Sequence, residues 1–144
     1  MWLGMSRLRT NFKAWWNGLT EGERISVERA VLLLEERGPH LPFPYSSGVS
    51  GSRHSAMREL RAQSLGHPYR VLYIFDPRRV ALLLVGGDKT GDDRWYEKNV
   101  PLADQIYDDY LAEMEEENNA KDDKVQGTSG DDVTGSQGRS PKSR

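Results

Sequence analysis

The sequence predicts an α+β domain in which a helical hairpin packs on a small twisted antiparallel sheet and an amphipathic helix follows at the C-terminal end. Three observations predict it. Apolar residues recur at helical spacing over residues 12–34. Three strand-like runs follow between residues 56 and 86, separated by turn residues, and helical spacing returns after residue 101.

Phe12, Trp15, Trp16 and Leu19 fall at i, i+3, i+4 and i+7 and predict a first short helix, with Asn11 available as its cap. Thr20-Glu21-Gly22-Glu23 is a capping box, in which hydroxyl and carboxylate satisfy each other's backbone donors, so a second helix starts there. Val27, Ala30, Val31, Leu33 and Leu34 form its buried side. Gly38-Pro39 ends it, with a left-handed cap followed by a residue that cannot continue a helix. Residues 38–55 hold three Pro, three Gly and five Ser without periodicity and predict a long loop, a class of segment that is usually functional or mobile.

The strand-like runs are residues 56–63, 69–75 and 80–86. Gly66-His67-Pro68 and Asp76-Pro77-Arg78-Arg79 join them, each short enough for an antiparallel hairpin, so the three form a meander. Residues 80–85 are apolar throughout, as expected of a strand covered on both faces, whereas Met57-Arg58-Glu59-Leu60-Arg61 is mixed and belongs at an edge or along a solvent-facing groove. Pro101 suits a first helical position, and Ala103, Tyr107, Tyr110 and Met114 then share one side of a last helix that is acidic outside. Residues 1–117 are therefore expected to form the domain. Among residues 118–144 only Ala120, Val125 and Val133 are apolar, too few to repay the entropy of ordering, so a disordered polar tail is expected there.

A chain of 144 residues makes about one domain, and a compact part of about 115 residues buries roughly two-thirds of its unfolded surface. With no cysteine, disulfides, thiolate metal sites and thiol nucleophiles are excluded together, and a reducing, cytoplasmic compartment fits. The longest apolar run, residues 80–85, is far short of the roughly 20 residues of a membrane span, so no membrane partner is expected.

Charge is informative only after the chain is divided. Residues 1–117 hold 15 Lys and Arg against 18 Asp and Glu, a net −3, which argues against a general nucleic-acid binder. Between residues 53 and 89, however, seven basic residues face three acidic ones, and from 104 to 117 there are seven acidic residues and no basic one. A basic middle beside an acidic end can make a local anion site in a protein that repels bulk polyanion.

Several chemical readings fail on spacing. His40, His54 and His67 have no partners at metal-ligand spacing, so they read as surface or turn histidines. Gly86-Gly87-Asp88-Lys89-Thr90-Gly91 lacks the spacing of a phosphate loop and no helix follows it directly. Asp88, Asp92 and Asp93 read as turn formers and local ion pairs with Lys89 and Arg94 rather than a Mg²⁺ site, so neither metal nor cofactor is expected. Arg61, Arg70 and Lys89 lie on or at the end of strands about 5 Å apart and could converge on adjacent phosphates. The alternative is that strand arginines solvate an edge and pair with Glu59 and Asp76.

The ordered set Met57-Arg58-Glu59-Leu60-Arg61, Tyr69-Arg70-Val71-Leu72-Tyr73, Asp76-Pro77-Arg78-Arg79 and Gly86-Gly87-Asp88-Lys89-Thr90 resembles the RelE/HigB superfamily of toxins, most closely its phage-related Gp49-like branch. Trp15-Trp16, Leu33-Leu34-Glu35-Glu36, Gly38-Pro39 and Ala103-Asp104 with Tyr107 extend the resemblance over residues 12–111. It implies a RelE/ParE-like fold and the toxin of a type II toxin–antitoxin system. The implied activity is a ribosome-dependent, metal-independent mRNA endonuclease that inhibits translation, with a helix-turn-helix antitoxin, the ribosome and mRNA as partners. Carried over by position, Arg61, Arg70 and Lys89 would hold the phosphate, and Tyr96 would stack on a base or take part in proton transfer. Arg58, Arg78 and Arg79 would be further RNA contacts. Members usually open with a short strand before the first helix, for which residues 1–10 carry weak patterning. Relatives of this fold that poison gyrase cut no RNA, so a non-nucleolytic inhibitory module is the alternative, and an inactive phage-derived protein is a third.

Overall fold

The computed structural model describes residues 6–132, with backbone only for Ser6 and for residues 122–132. The elements run β1 (Ser6–Leu8), α1 (Thr10–Asn17), α2 (Glu21–Arg37), a 3₁₀ turn (Gly38–His40), β2 (Ser46–Gly48), β3 (Arg58–Ser64), β4 (His67–Phe75), β5 (Ala81–Asp88) and α3 (Trp95–Asp132). One five-stranded sheet has the order β1-β5-β4-β3-β2. The expected meander is its centre: β3 pairs antiparallel with β4, and β4 with β5. The sheet as a whole is mixed rather than antiparallel, because β1 pairs parallel with β5. Three residues at an edge need little sequence signal, so the weak patterning of residues 1–10 is compatible with a real strand.

The α1–α2 hairpin covers one face of the sheet. Phe12 from α1 and Val27, Val31 and Leu34 from α2 meet Leu60, Tyr69, Val71, Tyr73, Ala81 and Leu83 in one buried cluster. Each Val, Leu or Phe side chain among them taken out of water contributes about 1.5–3 kcal/mol. Thr10–Asn17 begins one residue before the Asn11 that the sequence offers as cap; Arg9 holds the cap position and no side chain caps it. The hairpin is fastened instead at the other end of α1, where Arg24 of α2 donates to the Trp16 and Asn17 carbonyls at 3.2 and 2.8 Å. Those are carbonyls that a helix C-terminus leaves without an intrahelical partner.

The capping box forms as predicted. Thr20 N–H donates to Glu23 Oε1 at 2.7 Å, and Thr20 Oγ1 accepts from Glu23 N–H at 3.2 Å. Glu23 then reaches the sheet, where its Oε2 accepts from the Tyr69 hydroxyl at 2.7 Å. The Thr20 amide and that hydroxyl hold the Glu23 carboxyl below its ordinary range. Burial, and then the Glu23 bond, push Tyr69 up to about 12. Thr20→Ala is expected to cost about 0.5–2 kcal/mol in a denaturant melt. A variant as stable as the wild type would show that the box does not hold this helix end.

The segment read as a long loop contains a strand. Ser46–Gly48 pairs with residues 58–60 of β3. Ser-Ser-Gly has no strand propensity of its own, and only the partner's free edge recruits it. The β3–β4 link is also tighter than expected: Leu65 and Gly66 turn the chain at φ 52° and 82°, the two positive angles of a type I′ hairpin, so His67 and Pro68 already belong to β4.

The last helix starts at Trp95, six residues ahead of the position expected from Pro101, which lies inside it. Asp92 initiates the turn by accepting from the Arg94 amide, and its carbonyl accepts from Trp95 N–H. Trp95, Val100 and Ala103 then supply a buried stripe ahead of Tyr107, and that burial outweighs a mid-helix proline. At its far end, where composition predicts no regular structure from residue 118, the helical backbone continues to Asp132. Extending an existing helix avoids the cost of nucleation, and Glu117 and Lys121 stand at the favourable i, i+4 spacing. Residues 133–144 of the predicted tail lie outside the described residues. By internal contacts the chain divides into two units, 1–107 and 108–144. Among the described residues, no helix is long and apolar enough to cross a membrane.

Gly86 lies in the last strand as expected, and β5 runs on through Gly87 to Asp88. A Cβ on Gly86 would lie 2.1 Å from the Trp15 ring, and one on Gly87 would lie 2.4 Å from Trp95 Nε1. Consecutive residues of a strand face opposite sides of a sheet, so each indole rests on the bare backbone of one face.

Candidate active site

Alternation along β3 puts Leu60 into the hairpin core and turns Glu59 and Arg61 to the opposite face, where the start of α3 packs. In β4, Tyr69, Val71 and Tyr73 join that core, so Arg70 shares the face of Glu59 and Arg61. Register makes Arg61 and Arg70 direct cross-strand partners. Two cations side by side repel unless an anion stands between them. Glu59 supplies it: Arg61 Nη1 lies 3.1 Å from Oε2, and Arg70 Nε lies 3.6 Å from Oε1.

The same carboxylate accepts from Ser47 Oγ of β2 at 2.6 Å and from the Tyr96 hydroxyl at 2.5 Å. Tyr96 reaches it because the segment is helical. Adjacent residues of a helix are about 100° apart, so Trp95 can cover Gly87 while Tyr96 turns to Glu59, their rings 5.2 Å apart and edge to face. Lys89 completes the group. Its amide donates to the Pro68 carbonyl at 3.0 Å, fixing the chain just past β5, and its Nζ lies 5.4 Å from the Tyr96 ring centroid.

The four residues predicted to act together are therefore neighbours: Arg61, Arg70 and Tyr96 gather around a residue the sequence offered only as an ion-pair partner, and Lys89 joins them through the Tyr96 ring. Glu59 is 4% exposed and is the hub of the group. Its signal was available in the sequence: an acidic residue at i−2 from Arg61 shares that arginine's face. Burial, then the bond to Glu59 and its charge, raise the Tyr96 phenol above its ordinary value, while Arg70 pulls it back. The phenol thus keeps its proton at neutral pH. Arg70 is itself 7% exposed, with Nη1 donating to the Tyr69 carbonyl and Nε buried without a hydrogen-bond partner.

The other three predicted RNA contacts lie elsewhere. Arg58 points to the hairpin side, where its Nε donates to Ser46 Oγ at 2.9 Å, and Ser46 in turn bonds the Tyr73 hydroxyl. Arg78 and Arg79 occupy the β4–β5 turn beyond Phe75. That is five residues along β4 from Arg70, about 17 Å at strand spacing. Arg78 pairs there with Asp76 at 3.6 Å, and Arg79 adopts φ 70° beside Leu34, Pro39 and Phe75. The alternative for the strand arginines is met in part, since Arg61 and Arg70 do pair with Glu59, but around a buried carboxylate and not along a solvated edge. Asp88 and Asp92 act as turn formers, but their side-chain partners are not Lys89 and Arg94: Asp88 accepts from Thr90 and meets His67 at 3.0 Å, while Asp92 pairs with Lys98 at 2.8 Å. Among the described residues, no group of three His, Cys, Asp or Glu is placed to hold a metal ion.

The family model described as phage derived protein Gp49-like matches residues 14–108, which includes every member of this cluster. The chain belongs to the Gp49-like family. Two relatives in Mycobacterium tuberculosis (strain ATCC 25618 / H37Rv) are similar to this Gp49-like chain. "Putative toxin HigB2" is 41% identical over 105 residues, 72% of this chain and 52% of the relative. "Putative toxin HigB3" is 43% identical over 99 residues, 68% of this chain and 85% of the relative. The Gp49-like chain thus spans about half the length of the first.

Proposed function

We propose that this chain is the toxin of a toxin–antitoxin pair and that it acts as a metal-independent endoribonuclease on mRNA presented by the ribosome. Membership of the Gp49-like family and the toxin names of both relatives support the first part. The observation that carries the second is the convergence of Arg61, Arg70 and Tyr96 on Glu59, with the Lys89 ammonium over the Tyr96 ring.

Strand cleavage by a ribose 2′-hydroxyl needs a proton acceptor, a donor for the leaving 5′-oxygen and positive charge around the five-coordinate phosphorus. Tyr96, protonated and bonded to Glu59, suits a relay: it takes the 2′-hydroxyl proton as its own passes to the carboxylate. The 2′-oxygen bonds to phosphorus, the P–O5′ bond breaks, and the Lys89 ammonium protonates the departing oxygen. The products are a 2′,3′-cyclic phosphate and a free 5′-hydroxyl. A phosphate seated there competes with Glu59 for Arg61 and supplies an acceptor for the unpartnered Arg70 N–H. A domain of net −3 binds free RNA poorly, which favours a substrate delivered by the ribosome. The partner expected to neutralise the toxin is a small helix-turn-helix protein.

The test is induction in a bacterial host, with new mRNA 5′ ends mapped against the reading frame. Lys89→Ala should lower cutting about 10²- to 10³-fold. Arg37→Ala, at the exposed end of α2, should change stability by less than about 0.5 kcal/mol and leave cutting alone. Growth arrest without new 5′ ends would favour the non-nucleolytic inhibitory module, a reading that draws on the pairing of both arginines with Glu59.

A further inference from the structure

The segment between the 3₁₀ turn and β2 carries Phe43, which is 68% exposed although it is a large apolar side chain. Its neighbour is a member of the cluster. The Arg61 guanidinium lies 5.2 Å from the Phe43 ring centroid, while its Nη1 is hydrogen-bonded to Glu59. Arg61 is itself fixed from that side, because its amide donates to the Tyr45 carbonyl at 2.9 Å. One planar cation therefore links an exposed aromatic ring to the buried carboxylate.

Phe43 adds little to the core, and much of its flat ring is open to a ligand while Arg61 lies against it. Single-stranded RNA supplies a suitable cover, because its unstacked bases lie flat on aromatic rings and arginine planes. The arrangement also has the order of a nucleotide, a surface for a base next to cations for the phosphate that adjoins it. We propose that Phe43, with Arg61 beside it, is the stacking platform for an mRNA base adjoining the scissile phosphate, and so a specificity-determining residue of the endoribonuclease. The inference rests on the nuclease reading of the Glu59 cluster and adds a subsite outside that cluster.

Stacking depends on a flat ring and not on apolar bulk, which sets the variants. In a translation reaction programmed with one mRNA, Phe43→Ala and Phe43→Leu should both cut about 10- to 100-fold less than wild type and with weaker base preference at the cut, as stacking energies imply. Phe43→Trp should retain both rate and preference. All three should melt with the wild type, since the ring is not in the core. Wild-type rate and cut pattern in Phe43→Ala would overturn the platform, and so would rescue by Phe43→Leu, which would point to simple packing. Undiminished cutting combined with lost neutralisation by the antitoxin would assign Phe43 to a protein contact and likewise overturn it. A wild-type chain that makes no cuts would remove the nuclease reading and the platform together, an outcome distinct from the others.

Discussion

Tyr96→Phe is expected to lower mRNA cutting about 10²- to 10⁴-fold, the range ascribed to one well-placed proton-transfer group. The substitution removes a hydroxyl and leaves the ring, so Trp95 keeps its edge-to-face neighbour and Lys89 keeps the ring beneath its ammonium. Glu59 loses one donor of the four groups around it and retains Ser47, Arg61 and Arg70. A hydrogen bond to a charged group contributes about 1.5–3 kcal/mol, within the margin of a domain stable by about 5–15 kcal/mol, so the variant should fold. Burial and the bond to Glu59 raise the phenol's pKa, which is why the proposed relay has Tyr96 pass a proton on to Glu59 and not act as a free base. Cutting within threefold of wild type in a folded Tyr96→Phe variant would remove the relay and leave the cluster as a phosphate site alone.

Arg70→Ala is expected to act first on stability. Its side chain is 8% exposed and stands beside a Glu59 side chain that is 6% exposed, so the substitution strips a buried carboxylate of one of its two arginines. Removing one partner of a buried pair costs about 3–5 kcal/mol, because the charge left behind has no water to replace it. Arg61 remains, but its side chain is 30% exposed and more weakly placed to compensate, which puts the expectation near the lower figure. For a domain of about 100 residues that is a fall in Tm of roughly 10–20 °C. Adding Glu59→Gln should recover part of the loss, since an uncharged amide is easier to bury unpaired. Loss of toxicity in Arg70→Ala is therefore not by itself evidence about chemistry. An Arg70→Ala variant that melts with the wild type would show that the buried pair holds nothing.

The sequence discloses most where a signal is local. The capping box at Thr20, the stripe of α2 and the apolar run of β5 are each written in one short segment, and all three form. What it conceals depends on partners distant in the chain. Ser46–Gly48 becomes a strand only because β3 offers an edge, and Pro101 reads as a helix start only if the burial of Trp95 against Gly87 is unknown. The site divides in the same way. Arg61 and Arg70 were identifiable because strand spacing alone can bring them together, but face assignment needs the true register. Counting from Leu60 in the core sends Arg58 to the hairpin side and makes Glu59, two residues before Arg61, the centre. The long β4 strand separates Arg78 and Arg79 from that centre, although the sequence groups all these cations in one basic stretch.

The paired glycines of β5 leave the wall between two indoles one peptide thick. Trp15 bears on it from the helical hairpin, and Trp95 bears on it from the side where Tyr96 meets Glu59. Elsewhere in the sheet, side chains on both faces cushion a misfit by changing rotamer. Here none exists, and a close-packed interior compresses little. The seat of Trp95, and with it the placement of a hydroxyl whose use depends on fractions of an ångström, therefore shares one tolerance with the packing of α1 on the far side. In the proposed relay, fine adjustment of the chemistry would be set partly by how the scaffold is backed.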